Sequence, residues 1–276
     1  MDSNKFVEKP IAFFDSGVGG ISVLATAVRS LPNERFIYYG DTANAPFGNR
    51  GASDVKVLSA RAAGELCGRG CKALVVACNT ATSAAINFLR EIMPVPVVGM
   101  EPALKPALEQ ESKGMVLVMA TPLTLAEHKF QALLTCCGAE GKVLVLPCTG
   151  IVELVEKGEI DGPVMEKSLS KLFQNIDKDE ISSVVLGCTH YLFIRNQLAK
   201  LLPQGINYFD GNGGTVKQLH RVLDKEGLLR IKPGSGSTVE FYSSGGRKDI
   251  SFFGKMYSTA LQDAGSCINN LEVERK

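Results

Sequence analysis

An excess of charge of either sign is missing from this 276-residue chain: 30 Lys and Arg stand against 29 Asp and Glu, a formal net charge of +1. That balance excludes the basic field a nucleic-acid partner needs, and with 45% hydrophobic residues the composition is not that of a disordered chain. No apolar run approaches the ~18 residues of a membrane-crossing helix, and residues 1–5 lack the basic-then-apolar layout of a signal peptide. The expectation is a cytoplasmic protein with a small-molecule partner, no nucleic acid and no membrane. Metal-binding patterns are scarce as well. The eight cysteines contain no Cys-x-x-Cys pair, Cys136 and Cys137 are adjacent and so poorly placed to share one tetrahedral ion, and His128, His190 and His220 are scattered. No metal site is expected. In a reducing cytosol thiols stay unpaired, so Cys67, Cys71, Cys136, Cys137, Cys148 and Cys267 read as small core or surface residues.

Two cysteines stand apart. The segment Val75-Val76-Ala77-Cys78-Asn79-Thr80 returns in altered form as Val185-Leu186-Gly187-Cys188-Thr189-His190. Each cysteine follows an apolar β-branched run and precedes an amphipathic stretch, the place where a buried strand hands over to a helix. Backbone N–H groups at a helix start favour a thiolate and lower a cysteine pKa. Two such thiols point to chemistry that needs one on each side of a small substrate.

The rest of the chain alternates in the same way. Strands are expected at 11–14, 36–39 and 73–77, with helices at 21–30 and 54–68; the pattern restarts near Gly114 with strands at 115–120, 143–146 and 183–186 and helices at 129–134 and 150–158. Continuous apolar strands separated by helices indicate mostly parallel sheets flanked by helices on both faces. Residues 11–16 and 116–121 are separated by nearly the same length of chain as the two cysteines, so the halves read as an internal duplication. After Asp210-Gly211-Asn212-Gly213-Gly214 come a helix from Thr215, a strand near 239–242 and a helix at 250–263, elements expected to return to the first half. The fold class is α/β, with two pseudo-symmetric domains: 1–99 plus 211–276 carrying Asp15 and Cys78, and 100–210 carrying Cys188 and His190. Ligands of open α/β sheets bind beyond the carboxyl ends of the strands, which places the active site in the cleft between the two.

Four motifs then occur in order: Asp15-Ser16-Gly17-Val18-Gly19-Gly20, Tyr39-Gly40-Asp41-Thr42-Ala43-Asn44-Ala45-Pro46-Phe47-Gly48, Ala77-Cys78-Asn79-Thr80-Ala81 and Gly187-Cys188-Thr189-His190-Tyr191. In this order, and with the strand and helix sequence intact from about residue 10 to residue 262, the chain resembles the glutamate racemases of the aspartate/glutamate racemase superfamily. The resemblance implies cofactor-independent interconversion of L- and D-glutamate by two thiols, a homodimer, and supply of D-glutamate for peptidoglycan. It matches Cys78 and Cys188 to the catalytic pair, with Cys78 taking the proton from D-glutamate and Cys188 from L-glutamate. Inverting a carbon by proton removal and return needs a base on one face and an acid on the other. Asp15 and His190 are the groups placed to tune the two thiols, and Glu156, with Glu153 in competition, is the acidic helper on the second side.

Substrate binding by resemblance falls to Asp15, Ser16, Pro46, Phe47, Gly48, Asn79, Thr80, Thr121, Thr189 and His190. Two positions depart from the family: Phe47 stands where tyrosine is usual, and Leu192 where proline follows His190-Tyr191. The Gly17-Val18-Gly19-Gly20 run also has an alternative reading as a phosphate cradle, though it lacks the Lys-Ser/Thr of a P-loop. Competing functions are a racemase of aspartate or another amino acid, against which His190 argues because aspartate racemases commonly carry a glutamate there, and a noncatalytic small-molecule-binding protein. Pyridoxal chemistry leaves the paired thiols unexplained, and no lysine stands out as a Schiff-base candidate.

Overall fold

The computed structural model describes residues 6–110, 114–230 and 237–263; residues 1–5 and Cys267 lie outside them. In chain order the elements among the described residues are β1 (Ile11–Asp15), α1 (Ile21–Ser30), β2 (Arg35–Gly40), α2 (Ala52–Gly68), β3 (Ala73–Val76), α3 (Asn79–Ile92), β4 (Val97–Gly99) and α4 (Leu104–Glu109). They continue with β5 (Met115–Ala120), α5 (Pro122–Ala126), α6 (His128–Cys136), β6 (Val143–Pro147), α7 (Ile151–Glu156), α8 (Gly162–Leu172), β7 (Ile181–Leu186), α9 (Arg195–Leu201), β8 (Asn207–Asp210), α10 (Asn212–Lys225), β9 (Thr238–Ser243) and α11 (Arg247–Asp263). Short 3-10 turns at Thr42–Asn44, Phe47–Asn49 and Thr189–Ile194 carry three of the sequence motifs.

Two sheets result, ordered β4-β3-β1-β2-β9 and β6-β5-β7-β8. Every strand pair in both is parallel, so the mostly parallel expectation is met in full. β9 pairs along its length with β2, which returns the late elements to the first sheet. Strand alternation sorts the side chains into layers. Ile11 and Phe13 face one side of β1 and join a core that also holds Leu117, Met119, Val184 and Leu186 of the second sheet; Ala12 and Phe14 face the other side with residues of α2 and α3. The two sheets thus share one continuous apolar layer and keep separate layers on their outer sides.

The chain crosses between the sheets after β4 and again after β8. At the second crossing Gly211 lies so close to the first that a Cβ on it would overlap the Glu101 carbonyl and sit 2.9 Å from Met100 Cε, which explains why no larger residue is present. β4 and β8 were absent from the sequence pattern: Val97–Gly99 is three residues between prolines, and Asn207–Asp210 mixes polar and aromatic residues. The structure also places α8 where no helix was expected, and starts the helix expected after Cys188 only at Arg195, as α9.

Far from the carboxyl ends of the strands, a buried ion pair closes the first sheet. The Lys72 ammonium is fully buried, pairs with Glu34 Oε2 at 2.6 Å and donates to Val7 O and Leu228 O, each at 2.8 Å. Glu34 Oε1 accepts from the Arg230 N–H at 2.9 Å, so four separate chain segments meet on one pair. Removing one partner strands the other charge without water. Glu34→Ala is expected to cost about 3–5 kcal/mol of stability. A urea denaturation midpoint that stays at the wild-type value would show that the Lys72 charge finds solvent or another partner.

Candidate active site

The carboxyl ends of β1, β3, β5 and β7 converge, and each delivers one part of the site. Asp15 ends β1 and is completely buried; its Oδ1 accepts from Gly17 N–H at 2.8 Å, and Thr189 Oγ1 donates to its Oδ2 at 3.3 Å. That second contact joins the first sheet to the loop after β7. Cys78 follows β3 at the start of α3. Its sulfur accepts from Ala81 N–H at 3.4 Å and lies 3.7 Å from Ser16 Oγ.

Cys188 follows β7, and the Thr189–Ile194 3-10 turn replaces the helix expected there. No backbone N–H caps its side chain. Instead Cys188 Sγ lies 3.5 Å from His190 Nδ1, and His190 Nε2 meets Glu156 Oε1 at 2.5 Å. The two thiols are therefore served differently, one by backbone and hydroxyl groups, the other by an imidazole. Glu156 Oε1 also accepts from Val18 N–H at 2.9 Å. The competing Glu153 turns away and accepts from Asn49 Nδ2 at 2.8 Å, so of the two glutamates it is Glu156 that reaches His190.

Burial dominates the electrostatics. It pushes the Cys78 thiol up to about 12, with the Asp15 charge and then Cys188 adding to the rise, while the Ala81 N–H and Ser16 oppose it. The expectation that a helix start makes this thiol acidic is corrected: one long N–H···S contact does not offset complete desolvation. Burial likewise raises the Asp15 carboxyl above its ordinary range, with the His190 charge opposing. Burial alone lowers an imidazole pKa, yet the Cys188 sulfur and the Glu156 carboxylate outweigh it, and His190 stands well above the ordinary histidine value. A cationic imidazole against a sulfur is a proton donor in place.

The remaining expected residues make contacts of their own. Thr80 Oγ1 lies 2.9 Å from Thr121 Oγ1 and 3.2 Å from Thr124 Oγ1, which are 2.9 Å from each other, a closed triangle of buried hydroxyls between α3 and α5. Gly48 approaches Thr121 so closely that a Cβ would sit 2.7 Å from the threonine Cβ. Asn79 is 2% exposed, and neither its Oδ1 nor its Nδ2 has a hydrogen-bond partner. Leaving such an amide unmet costs roughly 1–3 kcal/mol, so a ligand or an ordered water has a hydrogen bond to gain there. Phe47 is buried against Phe14, with ring centroids 6.1 Å apart. Pro46 lines a cavity of about 410 Å³ together with Thr42, Glu153, Glu156, Asp249 and Phe252, at the outer side of Glu156. Leu192, the second departure, packs partly buried against the shared core.

The glycine run has a packing role. A Cβ on Gly17 would overlap the Glu156 carboxylate, and one on Gly19 would overlap Thr189 Oγ1 and crowd the His190 ring. The Gly17 and Val18 N–H groups are already taken by Asp15 and Glu156, so the loop is a seat for the second half of the protein and not a phosphate cradle. Two participants went unnoticed in the sequence. Thr124 had a signal, the Thr-x-x-Thr spacing of a capped helix start, and Thr121 does cap α5 through Thr124 N–H at 3.3 Å. Tyr38 had none beyond a core strand position; its hydroxyl donates to Gly17 O at 2.6 Å, and its ring meets Phe253 of α11 edge-on at 5.4 Å.

Two parallel α/β sheets, each with a buried cysteine at a strand end, are in keeping with a racemase by class. It belongs to the Asp/Glu/hydantoin racemase family, whose sequence profile matches residues 18–219. A glutamate racemase of Clostridium novyi is 49% identical over 242 residues, covering 87% of this chain and 93% of the relative. Among solved structures, the glutamate racemase of Thermus thermophilus in complex with β-chloro-D-alanine has a TM-score of 0.77 at 33% identity, covering 91% of this chain and 93% of that one. The glutamate racemase of Francisella tularensis in complex with D-glutamate has a TM-score of 0.78 at 28% identity, covering 93% and 94%.

Because folded His190 keeps its proton to a higher pH than an unfolded histidine, its stabilising contribution is full below about pH 6.5 and drains away as pH rises through the raised value. Glu156→Gln removes one of the two groups holding that proton. Its His190 ring resonance is expected to titrate at lower pH than in the wild type. An unchanged NMR titration midpoint would remove Glu156 from this role.

Proposed function

We propose that this protein interconverts L- and D-glutamate through Cys78 and Cys188, without a cofactor. The observation that supports the reading is a pair of buried thiols at the carboxyl ends of β3 and β7, close enough for the charge of Cys188 to bear on Cys78, each with its own neighbouring polar group. With the substrate α-carbon between them, one thiolate takes the α-proton, breaking the C–H bond and forming S–H. The other thiol then gives its proton to the opposite face of the carbanion. Running the steps backwards exchanges the two roles, so neither direction needs a separate machinery. Asp15 and Ser16 serve Cys78; His190, held by Glu156, serves Cys188.

Glutamate presents two carboxylates and an ammonium group to the cleft. Asn79, Thr80, Thr121 and Thr189 supply short polar side chains, Gly48 and the backbone at Phe47 permit close approach, and Pro46 shapes the entrance. The unmet Asn79 amide is the group with most to gain from a bound carboxylate or ammonium. Glutamate is preferred over aspartate because His190 occupies the position next to Thr189 and because the similar curated proteins are glutamate racemases at 45–49% identity. In this reading residues 1–99 with 211–276 form one body and residues 100–210 the other, two copies associate as a homodimer, and the protein works in the cytoplasm to supply D-glutamate for peptidoglycan. No helix among the described residues is long and apolar enough to cross a membrane.

Incubation with L-glutamate in D₂O, with no pyridoxal phosphate added, is expected to give D-glutamate carrying deuterium at the α-carbon. Folded protein that neither exchanges the α-proton nor forms the D-isomer would leave only a binding role, and faster turnover of aspartate would move the substrate assignment. Cys78→Ala and Cys188→Ala are each expected to lower racemisation by at least ~10²–10⁴-fold, the span of general acid–base catalysis. Substantial turnover in either single variant excludes the two-thiol route.

A further inference from the structure

The Tyr38 hydroxyl reaches out of β2 to the glycine loop after β1, where it donates to Gly17 O at 2.6 Å. The side chain is completely buried, and its ring is held edge-on by Phe253 of α11 at 5.4 Å and by Phe241 of β9 at 6.1 Å. Gly40, two residues along β2 and so on the same face, leaves room for the carbonyl: a Cβ there would sit 2.7 Å from Gly17 O and 2.5 Å from Phe253 Cζ. Burial, and then the charges of Asp15, Glu156 and Cys78, push the phenol well above its ordinary pKa, so the hydroxyl keeps its proton and acts as the donor.

The acceptor belongs to the peptide unit that reaches the second half of the site. Gly17 C=O and Val18 N–H are the two ends of one planar trans amide, so they point in opposite directions and turn together. With Tyr38 on the oxygen, the Val18 N–H is aimed at Glu156 Oε1, 2.9 Å away. That same carboxylate oxygen meets His190 Nε2 at 2.5 Å, and His190 Nδ1 lies 3.5 Å from Cys188 Sγ. Glycine on one side makes this amide easy to turn, and the Glu156 carboxylate leaves no space for a larger residue at Gly17. The amide therefore needs an anchor from outside its own loop. The Gly17 N–H belongs to the preceding amide, which Asp15 holds separately at 2.8 Å.

We propose that Tyr38 is a positioning residue for the Cys188 half of the reaction: its hydroxyl fixes the Gly17–Val18 amide, and through it the Glu156 carboxylate and the ring of His190. The inference rests on the two-thiol racemisation proposed for this site. Because the hydroxyl bonds a backbone carbonyl, its effect is one of orientation. Cys78 takes its own contacts from Ala81 N–H and Ser16, outside this chain of groups. In this way β9 and α11, by clamping one ring, bear on a thiol delivered by the second sheet.

Tyr38→Phe keeps the ring and its aromatic neighbours and removes only the hydroxyl. In protein shown to be folded by a cooperative urea transition, kcat for glutamate racemisation is expected to fall roughly 2–10-fold, the worth of one buried hydrogen bond expressed as a rate, with KM moving less than about twofold. The ring of His190 gives the second readout. His128 and His220 are exposed and His190 is buried, so a slowly exchanging ring N–H proton resonance belongs to His190. Facing a carboxylate, Nε2 carries that proton, and its resonance is expected to move upfield in Tyr38→Phe as the contact with Glu156 lengthens. A wild-type kcat overturns the proposal, as does a loss carried by KM alone or a lowered kcat with the His190 resonance unmoved. Wild-type protein that does not racemise glutamate would instead remove the functional reading, while the resonance in Tyr38→Phe would still report whether Tyr38 is linked to His190.

Discussion

One carboxylate oxygen holds the two halves of the site together. Glu156 Oε1, at the end of α7, receives the Val18 N–H from the loop after β1 and faces His190 Nε2 in the loop after β7. The short distance requires glycine at Gly17, where any side chain would take the carboxylate's place. It also fixes the ring of His190, and the ring fixes what Cys188 meets. A bound anion shared by a backbone N–H and a cationic imidazole is strongly held when water is excluded, because the charge-assisted contacts act in a low dielectric. The first sheet thus contributes to the chemistry of a thiol delivered by the second.

The consequence is an asymmetric pair built on a symmetric frame. Both cysteines end a central strand of a parallel sheet, and both lie almost out of contact with solvent. Their neighbours differ: Cys78 has the Asp15 carboxyl nearby, which discourages a thiolate, while Cys188 lies against the imidazole of His190. A reaction that inverts a carbon needs one sulfur charged and one carrying a proton at any instant. Burial and the Asp15 charge keep the proton on Cys78. The coupling between the sulfurs acts in the same direction, since two thiolates at close range repel.

Much of this was legible in the sequence. The repeated strand-to-cysteine segments, the alternation of apolar and amphipathic runs and the glycine-rich loop led to two parallel sheets with Asp15, Cys78, Cys188 and His190 at their ends. What escaped has identifiable physical causes. β4 and β8 are too short to show a period, and their pairing depends on neighbours distant in the chain. Glu153 and Glu156 lie one turn apart on the same helix, so no local rule separates them; only the position of His190, brought by another strand, does so. The pKa of Cys78 depends on how completely it is buried, which a motif does not report. The short turn after Cys188, in place of a helix, reflects His190 folding back toward its own cysteine.

The unmet amide of Asn79 sharpens how the site balances stability against binding. A few residues away, the hydroxyls of Thr80, Thr121 and Thr124 satisfy one another in a closed triangle, showing that this fold pairs buried polar groups where it has the means. Asn79 sits beside them with both polar atoms unpaired. An apolar residue there would relieve the cost of desolvation, so the amide makes physical sense where a ligand or an ordered water completes its hydrogen bonds. The threonine triangle has the opposite property: each hydroxyl it lends to a ligand must be withdrawn from a neighbour. The contribution of the threonines is to hold the starts of α3 and α5 together.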